Sequence, residues 1–308
     1  MLSSPPRAGR TGCRVSRAAV AAAPGRRDVA LDEWKRHMEL EDLLFERDGD
    51  VAVITLNRPD RMNAMSGAMT TGMLNLVREM RDDDSVKVIV LTGAGRAFCT
   101  GADVGGLAAR TGADGAPPTP APAPPVRLPH PEDGAQIVFA QCDKPIIGAI
   151  NGFAVGAGFG LALTPDIRIA SSAAKFAVVQ TKRGRRPDGG LNYRLPRIVG
   201  VQKALEMMWT GDMIDAEEAL RLGLVLRVVP HEDLMKETLA FAHKIAAGPS
   251  IAQALAKRMV YKTMFPEADH IAAAEMEYYT GLVIDRTEDA KEGVRAFMEK
   301  REPVFKGR

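Results

Sequence analysis

The sequence predicts an α/β protein with a helical C-terminal region, and three observations carry that prediction. Short apolar runs closed by glycine turns alternate with helical periodicity through the first two-thirds of the chain. Beyond Gly200 the pattern turns almost wholly helical, and at 308 residues the chain is long enough to bury a sizeable core. The organisation follows from the same reading: residues 1–37 as a disordered extension, 38–230 as the α/β core and 231–308 as the helical region.

The first 37 residues stand apart. Between Met1 and Arg27 there are six arginines and no acid, interleaved with Ala, Pro and Ser. That composition suits a disordered segment, with organellar targeting the weaker reading and an over-extended start a further one, since Met38 opens a much more protein-like stretch. From Leu43, LLFERDGDVAVITLNRP reads as two strands around Asp48-Gly49-Asp50. Ser66 is a good N-cap for a helix reaching about Met80. Val86 to Leu91 is a buried strand. Residues 108–134, with PPTPAPAPP, cannot pair in a sheet or continue a helix and are expected to form a mobile loop. Gln136 to Cys142 reads as a helix end, Pro145 to Ile150 as a buried strand, Gly156 to Thr164 as a helix and Asp166 to Ala170 as a strand. Helices are expected over 201–209, 215–222, 232–247, 250–264, 267–284 and 287–299.

Composition narrows the function classes. With 46% hydrophobic and 26% charged residues and a formal charge of +2, the chain carries no global field that would draw it to nucleic acid or a membrane surface. No apolar run approaches the roughly 18–20 residues of a membrane span. Cys13, Cys99 and Cys142 form an odd, widely spaced set without metal-ligand spacing, which suits a reducing compartment and points to a cytoplasmic protein. None of the five histidines shows a pairing by spacing.

Two glycine-containing turns carry the candidate chemistry. One runs from Gly95 to Asp103 after the strand at 86–91, the other from Asn151 to Gly160 after the strand at 145–150. Each lets peptide N–H groups face a ligand, and the second opens a helix whose free N–H groups favour developing negative charge. A dinucleotide fingerprint fails because its third glycine would fall at Phe98, and neither turn ends in the Lys-Ser/Thr of a P-loop. On glycine alone, plain structural turns remain the stronger reading over an anion site.

At these turns the chain resembles the crotonase (enoyl-CoA hydratase/isomerase) superfamily, from about Leu43 to Arg308. The matching blocks, in order, are DVAVITLNRPDRMNAM, VIVLTGAGRAFCTGAD, KPIIGAINGFAVGAGFGLAL, DIRIASSAAKFAV, PDGG with LPRIVG, GDMIDAEEALRLGLV and DAKEGVRAFMEKREPVFKGR. The resemblance implies a spiral of ββα turns with a C-terminal helical trimerisation region, assembled as a homotrimer or a hexamer of paired trimers. It implies an acyl-CoA thioester as substrate and no cofactor beyond the coenzyme A that the substrate carries. By position, Ala102 and Ala157 would supply two oxyanion-hole N–H groups. Gly101, Gly156 and Gly158 would shape the substrate-binding backbone around them, and Asn63, Ala64, Ala97 and Phe98 would line the CoA path.

The departures from the family pattern are as informative as the match. Hydratase members place one glutamate three residues after the second oxyanion donor and another twenty residues later; here those positions are Gly160 and Gln180. Glycine offers no acid and glutamine exchanges no proton at neutral pH, so the two-glutamate route to hydration is absent. Asp188, in Arg186-Pro187-Asp188-Gly189-Gly190, matches the single carboxylate that shuttles a proton in the double-bond isomerase branches; the alternative is a turn aspartate capping Gly189-Gly190. The dehalogenase branch shares glycine and aspartate at these places, but has a tryptophan where Gln180 stands and a histidine where Asp133 stands, so it fits poorly. Asp133 is a second candidate acid, with a solvated helix N-terminus the stronger reading.

Lys182-Arg183-Gly184-Arg185-Arg186 puts arginines where the family usually has apolar residues against the acyl chain. Arg185 or Arg186 would suit an acyl group with a carboxylate or other polar tail, and Gln180 and Arg186 are counted among the substrate-binding residues. A loop facing water or a neighbouring subunit is the plainer reading. Isomerisation is therefore favoured. Hydration by a one-acid route, a non-catalytic acyl-CoA-binding paralogue and a trimeric scaffold remain as alternatives.

Overall fold

A computed structural model describes residues 37–103, 135–264 and 285–304. The expectations for the N-terminal extension up to residue 36, the loop at 108–134, Asp133 and the helix at 267–284 lie outside these residues.

The strands come in pairs that serve two sheets. β1 (His37–Leu40), β2 (Leu43–Asp48), β3 (Val51–Leu56), β4 (Val88–Gly93), β6 (Ile146–Ile150), β8 (Ile167–Ser171) and β11 (Arg227–Val229) form the large sheet in that order. Its β1–β2–β3 meander is antiparallel, and every later pairing is parallel. β5 (Ala97–Cys99), β7 (Phe153–Val155), β9 (Lys175–Ala177) and β10 (Ile214–Asp215) form the small sheet in the order β10-β9-β7-β5. So β4 leads to β5, β6 to β7 and β8 to β9, each pair giving one strand to each sheet. A helix follows β7, namely α3 (Ala157–Ala162), while α1 (Gly67–Asp82) and α2 (Ala135–Ala140) lie earlier. This is the ββα spiral that the resemblance implies.

The long apolar runs arise because both faces of the large sheet are covered. Val51, Val53, Val88, Val90, Ile147, Ala149 and Ile169 pack under α7 (Leu234–Ala246), against Leu234, Ala242 and Ala246. The alternate residues Ala52, Ile54, Ile89, Leu91, Ile146 and Ile150 face the main core. A two-sided parallel sheet therefore reads as continuous hydrophobic sequence without alternation. Helix α1 has its Ser66 cap as expected, accepting from Met69 N at 3.0 Å, and buries Met69, Met73, Leu76, Val77 and Met80 toward the sheet.

Several elements escaped the sequence reading. β5 and β7 sit inside the two stretches read as glycine turns, and three residues carry too little periodicity to be recognised. α4 (Leu191–Val199) contains Pro196, which reads as a breaker although the helix tolerates it at the cost of one backbone hydrogen bond. α5 (Val201–Thr210), α6 (Ala216–Arg221), α8 (Ser250–Met264) and α9 (Glu288–Glu299) fall where helices were expected, within one residue at each end. His231 and His243 do have partners, Ser171 at 2.9 Å and Asp48 at 2.8 Å.

The C-terminal helices are tied down by charge. Asp166, just before β8, receives Lys257 Nζ at 2.7 Å and Tyr261 Oη–H at 2.9 Å from α8, and also the Ile146 N–H at 2.7 Å. No described helix is long and apolar enough to cross a membrane.

Successive spiral turns meet at Gly152, where a Cβ would lie 2.0 Å from Arg96 O. Gly152→Ala is expected to destabilise the fold by about 3 kcal/mol or more, the upper end of overpacking costs, because the obstacle is backbone and cannot rotate away. Urea unfolding of the variant measures it.

Candidate active site

Two backbone N–H groups are presented where β5 and β7 end. The stretch Thr100–Asp103 runs beside Met65: Met65 N–H donates to Gly101 O at 2.8 Å and Asp103 N–H donates to Met65 O at 3.4 Å. Both bonds flank Ala102, so this bridge leaves the Ala102 N–H unused, and Ala102 is exposed. Ala157 opens α3 after Gly156, and among the described residues its N–H donates to no backbone carbonyl. The two turns nearly touch: a Cβ on Gly101, whose φ is +95°, would lie 3.2 Å from Ala157 N and 3.1 Å from Val155 O. Only glycine reconciles that φ with that approach.

A clamp holds the first turn in place. Asn63, 0% exposed and at φ +53°, accepts from Arg58 N–H at 2.8 Å and donates to Ala94 O at 2.9 Å and Ala97 O at 2.7 Å. Arg58 in turn donates to Ala64 O at 2.6 Å and to Asp103 Oδ2 at 3.1 Å. This bears on the CoA path that the resemblance implies. The Asn63 side chain is consumed by the fold, and the side chains of Ala97 and Phe98 are buried in it. What these residues can present to a ligand is backbone. Arg58 was missed as a site-positioning residue. Its signal was its place in Asn57-Arg58-Pro59, read only as a strand end.

The carboxylate comes from the loop between β9 and α4. Gln180, 7% exposed, donates Nε2–H to Asp188 Oδ1 at 3.1 Å, and its Oε1 is buried without a hydrogen-bond partner among the described residues. The amide orientation follows from chemistry, since an ionised carboxylate only accepts. That amide also flanks the second N–H donor, lying 3.8 Å from the place a Cβ would take on Gly156. Asp188 Oδ2 stands 3.6 Å from Arg186 Nη1. Asp188 also belongs to the turn that enters α4: its carbonyl accepts from Leu191 N–H at 3.4 Å, and Gly190 is the residue before the helix.

Helix α9 braces this loop. A Cβ on Gly293 would meet the Arg183 backbone at 2.2 Å, and the Arg183 guanidinium lies 4.0 Å from the centre of the Phe297 ring. Arg185 pairs with Asp285 at 2.6 Å, just before that helix. Arg185 is therefore a structural ion pair, and of the two arginines only Arg186 stands beside the carboxylate.

The position of the missing acid is closed sterically. A Cβ on Gly160 would lie 2.4 Å from Gly189 O, so the backbone of the Asp188-Gly189 turn occupies the space a side chain there would need. Cys99, behind the first turn, has its thiol pushed up to about 12 by burial and is not a nucleophile. Among the described residues, no group of three His, Cys, Asp or Glu side chains could hold a metal ion.

Two substitutions test this arrangement. Asn63→Ala is expected to cost at least about 2 kcal/mol of stability in urea unfolding, because it orphans buried backbone groups at roughly 1–3 kcal/mol each. Gly160→Glu is expected to lower the melting temperature and to gain no hydration of crotonyl-CoA, since the Gly189 turn must move before a side chain fits.

Comparison with known proteins identifies the family. Residues 46–308 match the family model described as enoyl-CoA hydratase/isomerase. The chain is 39% identical to the (E)-benzylidenesuccinyl-CoA hydratase of Thauera aromatica over 85% of its own length and 98% of that protein's. It is 33% identical to the 1,2-epoxyphenylacetyl-CoA isomerase of Escherichia coli, over 87% and 100%. Among solved structures it is similar to the carnitinyl-CoA hydratase of Mycobacterium avium, with a TM-score of 0.72, 34% identity and coverage of 87% and 99%. The chain belongs to the enoyl-CoA hydratase/isomerase family.

Proposed function

We propose that this chain shifts a carbon–carbon double bond in an acyl-CoA thioester, with Asp188 as the proton shuttle. The thioester oxygen would accept from the N–H groups of Ala102 and Ala157, which acidifies the α-carbon as the enolate forms. Asp188 then takes the α-proton and returns it to the γ-carbon. Each oxyanion donor would contribute about 10²–10³ in rate, and the carboxylate about 10²–10⁴.

One observation carries this reading: the acid beside the Ala157 turn is Asp188, while the two positions that serve hydration hold a sterically closed glycine and a neutral amide. Hydration by a one-acid route has its own support. The unpartnered Oε1 of Gln180 would accept from a bound water next to Asp188, and the relatives' names include hydratases as well as an isomerase. Assembly as a homotrimer or hexamer is supported by the apolar side chains that Trp209, Met213, Ile251 and Met259 leave exposed.

Asp188→Asn keeps the side-chain shape and removes only the proton transfer. It is expected to lower kcat on a 3-enoyl-CoA by at least about 10², in line with the loss of a general base, while CoA-ester binding stays within a few-fold. Retention of more than about a tenth of kcat would contradict the assignment. The wild-type protein should isomerise the 3-enoyl ester far faster than it hydrates crotonyl-CoA. Efficient hydration would favour the water-binding reading of Gln180.

A further inference from the structure

We propose that Arg186 recognises the acyl group and that the substrates of this site carry a carboxylate on their acyl chain. This deepens the function proposed above and rests on that reading of the site. The evidence is how poorly the guanidinium is satisfied. Arg186 has a side chain 22% exposed, and Nη1 makes two contacts, to Pro187 O at 3.4 Å and to Asp188 Oδ2 at 3.6 Å. Its Nε is buried without a hydrogen-bond partner among the described residues. A guanidinium has five N–H donors in a planar fork, and two long contacts leave most of them unused.

Other arginines of the core show what a structural role looks like here. Arg168 donates to Leu224 O at 2.6 Å and to Pro165 O at 2.8 Å, Arg183 lies over the Phe297 ring, and Arg185 stands 2.6 Å from Asp285 as an ion pair, although that Nη1 lacks hydrogen-bond geometry. Asp188 does not depend on Arg186 for its position either, since Gln180 holds its other oxygen at 3.1 Å. The free edge of the fork therefore fits an anion brought by a ligand. The thioester end is served by the N–H groups of Ala102 and Ala157, so the part of the substrate that reaches the Asp188 loop is the acyl chain. A carboxylate is the planar two-oxygen anion that matches the fork.

The test compares two 3-enoyl-CoA esters of equal chain length, one ending in a carboxylate and one in a methyl group. Both carry the same CoA phosphates, so any preference belongs to the acyl end. Binding is measured calorimetrically on the Asp188→Asn protein and turnover on the protein with Asp188 intact. The carboxylate ester is expected to lead by about 10- to 100-fold, the effect of a charge-assisted hydrogen bond that the neutral ester leaves unmade. Arg186→Met, in either background, is expected to bring the two esters close to parity, with the loss falling on the carboxylate ester. Arg185→Met should keep the ranking even where it lowers the melting temperature. No preference in the Arg186-intact protein, an unchanged ranking in Arg186→Met, or a ranking lost in Arg185→Met instead would overturn the proposal. If neither ester turns over, isomerisation by Asp188 fails, while the binding preference still decides the role of Arg186.

Discussion

Backbone packed directly on backbone is the constraint on which the site depends. Adjacent turns of the spiral approach more closely than any side chain allows: a Cβ would come within 2.0 Å of Arg96 O at Gly152 and 2.1 Å of Cys99 O at Gly158. Such contact brings the β5 turn and the start of α3 together, with Gly101 against Ala157 N, which is the arrangement the proposed pair of N–H donors would need. Preorganised donors of this kind are fixed before any ligand arrives. The helix dipole adds little, because α3 has only six residues. Position, set by glycine contacts, is the larger contribution.

The same close packing links the chemistry at two distant places in the sequence. Gly160 has no side chain, and the Gly189 carbonyl fills the space that one would take. An acid cannot occupy position 160 while the 188–190 turn sits where it does, and that turn is what carries Asp188 toward Gln180. The loss of one carboxylate and the gain of the other are two aspects of a single backbone arrangement. α9 extends the dependence to the C-terminus through Gly293, Phe297 and the Arg185–Asp285 pair. A helix far along the chain therefore helps to hold the loop that bears the candidate base.

Much of this fold was legible because its signals are local. Val88–Leu91 and Ile146–Ile150 carry no polar side chain, as two-sided strands must, and the Ser66 cap is a short-range feature. β5, β7 and β9 were not legible: three-residue strands show no period and take their shape from neighbours distant in sequence. In the site, the glycine turns stood out by residue type, and Asp188 by its position in the family resemblance. Asn63 did not reveal its role, since a buried clamp and a ligand-facing amide look alike until the partners are known. Arg185 and Arg186 were indistinguishable for a similar reason, because Asp285 lies a hundred residues further along.

The pairing of Gln180 with Asp188 also bears on how a single carboxylate could carry a proton between two carbons. Oδ1 accepts the Gln180 N–H at 3.1 Å, and it can do so whether the acid is ionised or protonated on Oδ2, because a carbonyl oxygen accepts as a carboxylate oxygen does. The side chain need not turn when the proton arrives or leaves. A glutamate at position 180 would behave differently: two adjacent carboxylates repel or share a proton, and their titrations become coupled. A neutral amide removes that coupling while keeping the orientation. Proton return to a different carbon then asks only that the acyl chain present both carbons to one oxygen, a demand on the shape of the pocket and on whatever fixes the far end of the chain.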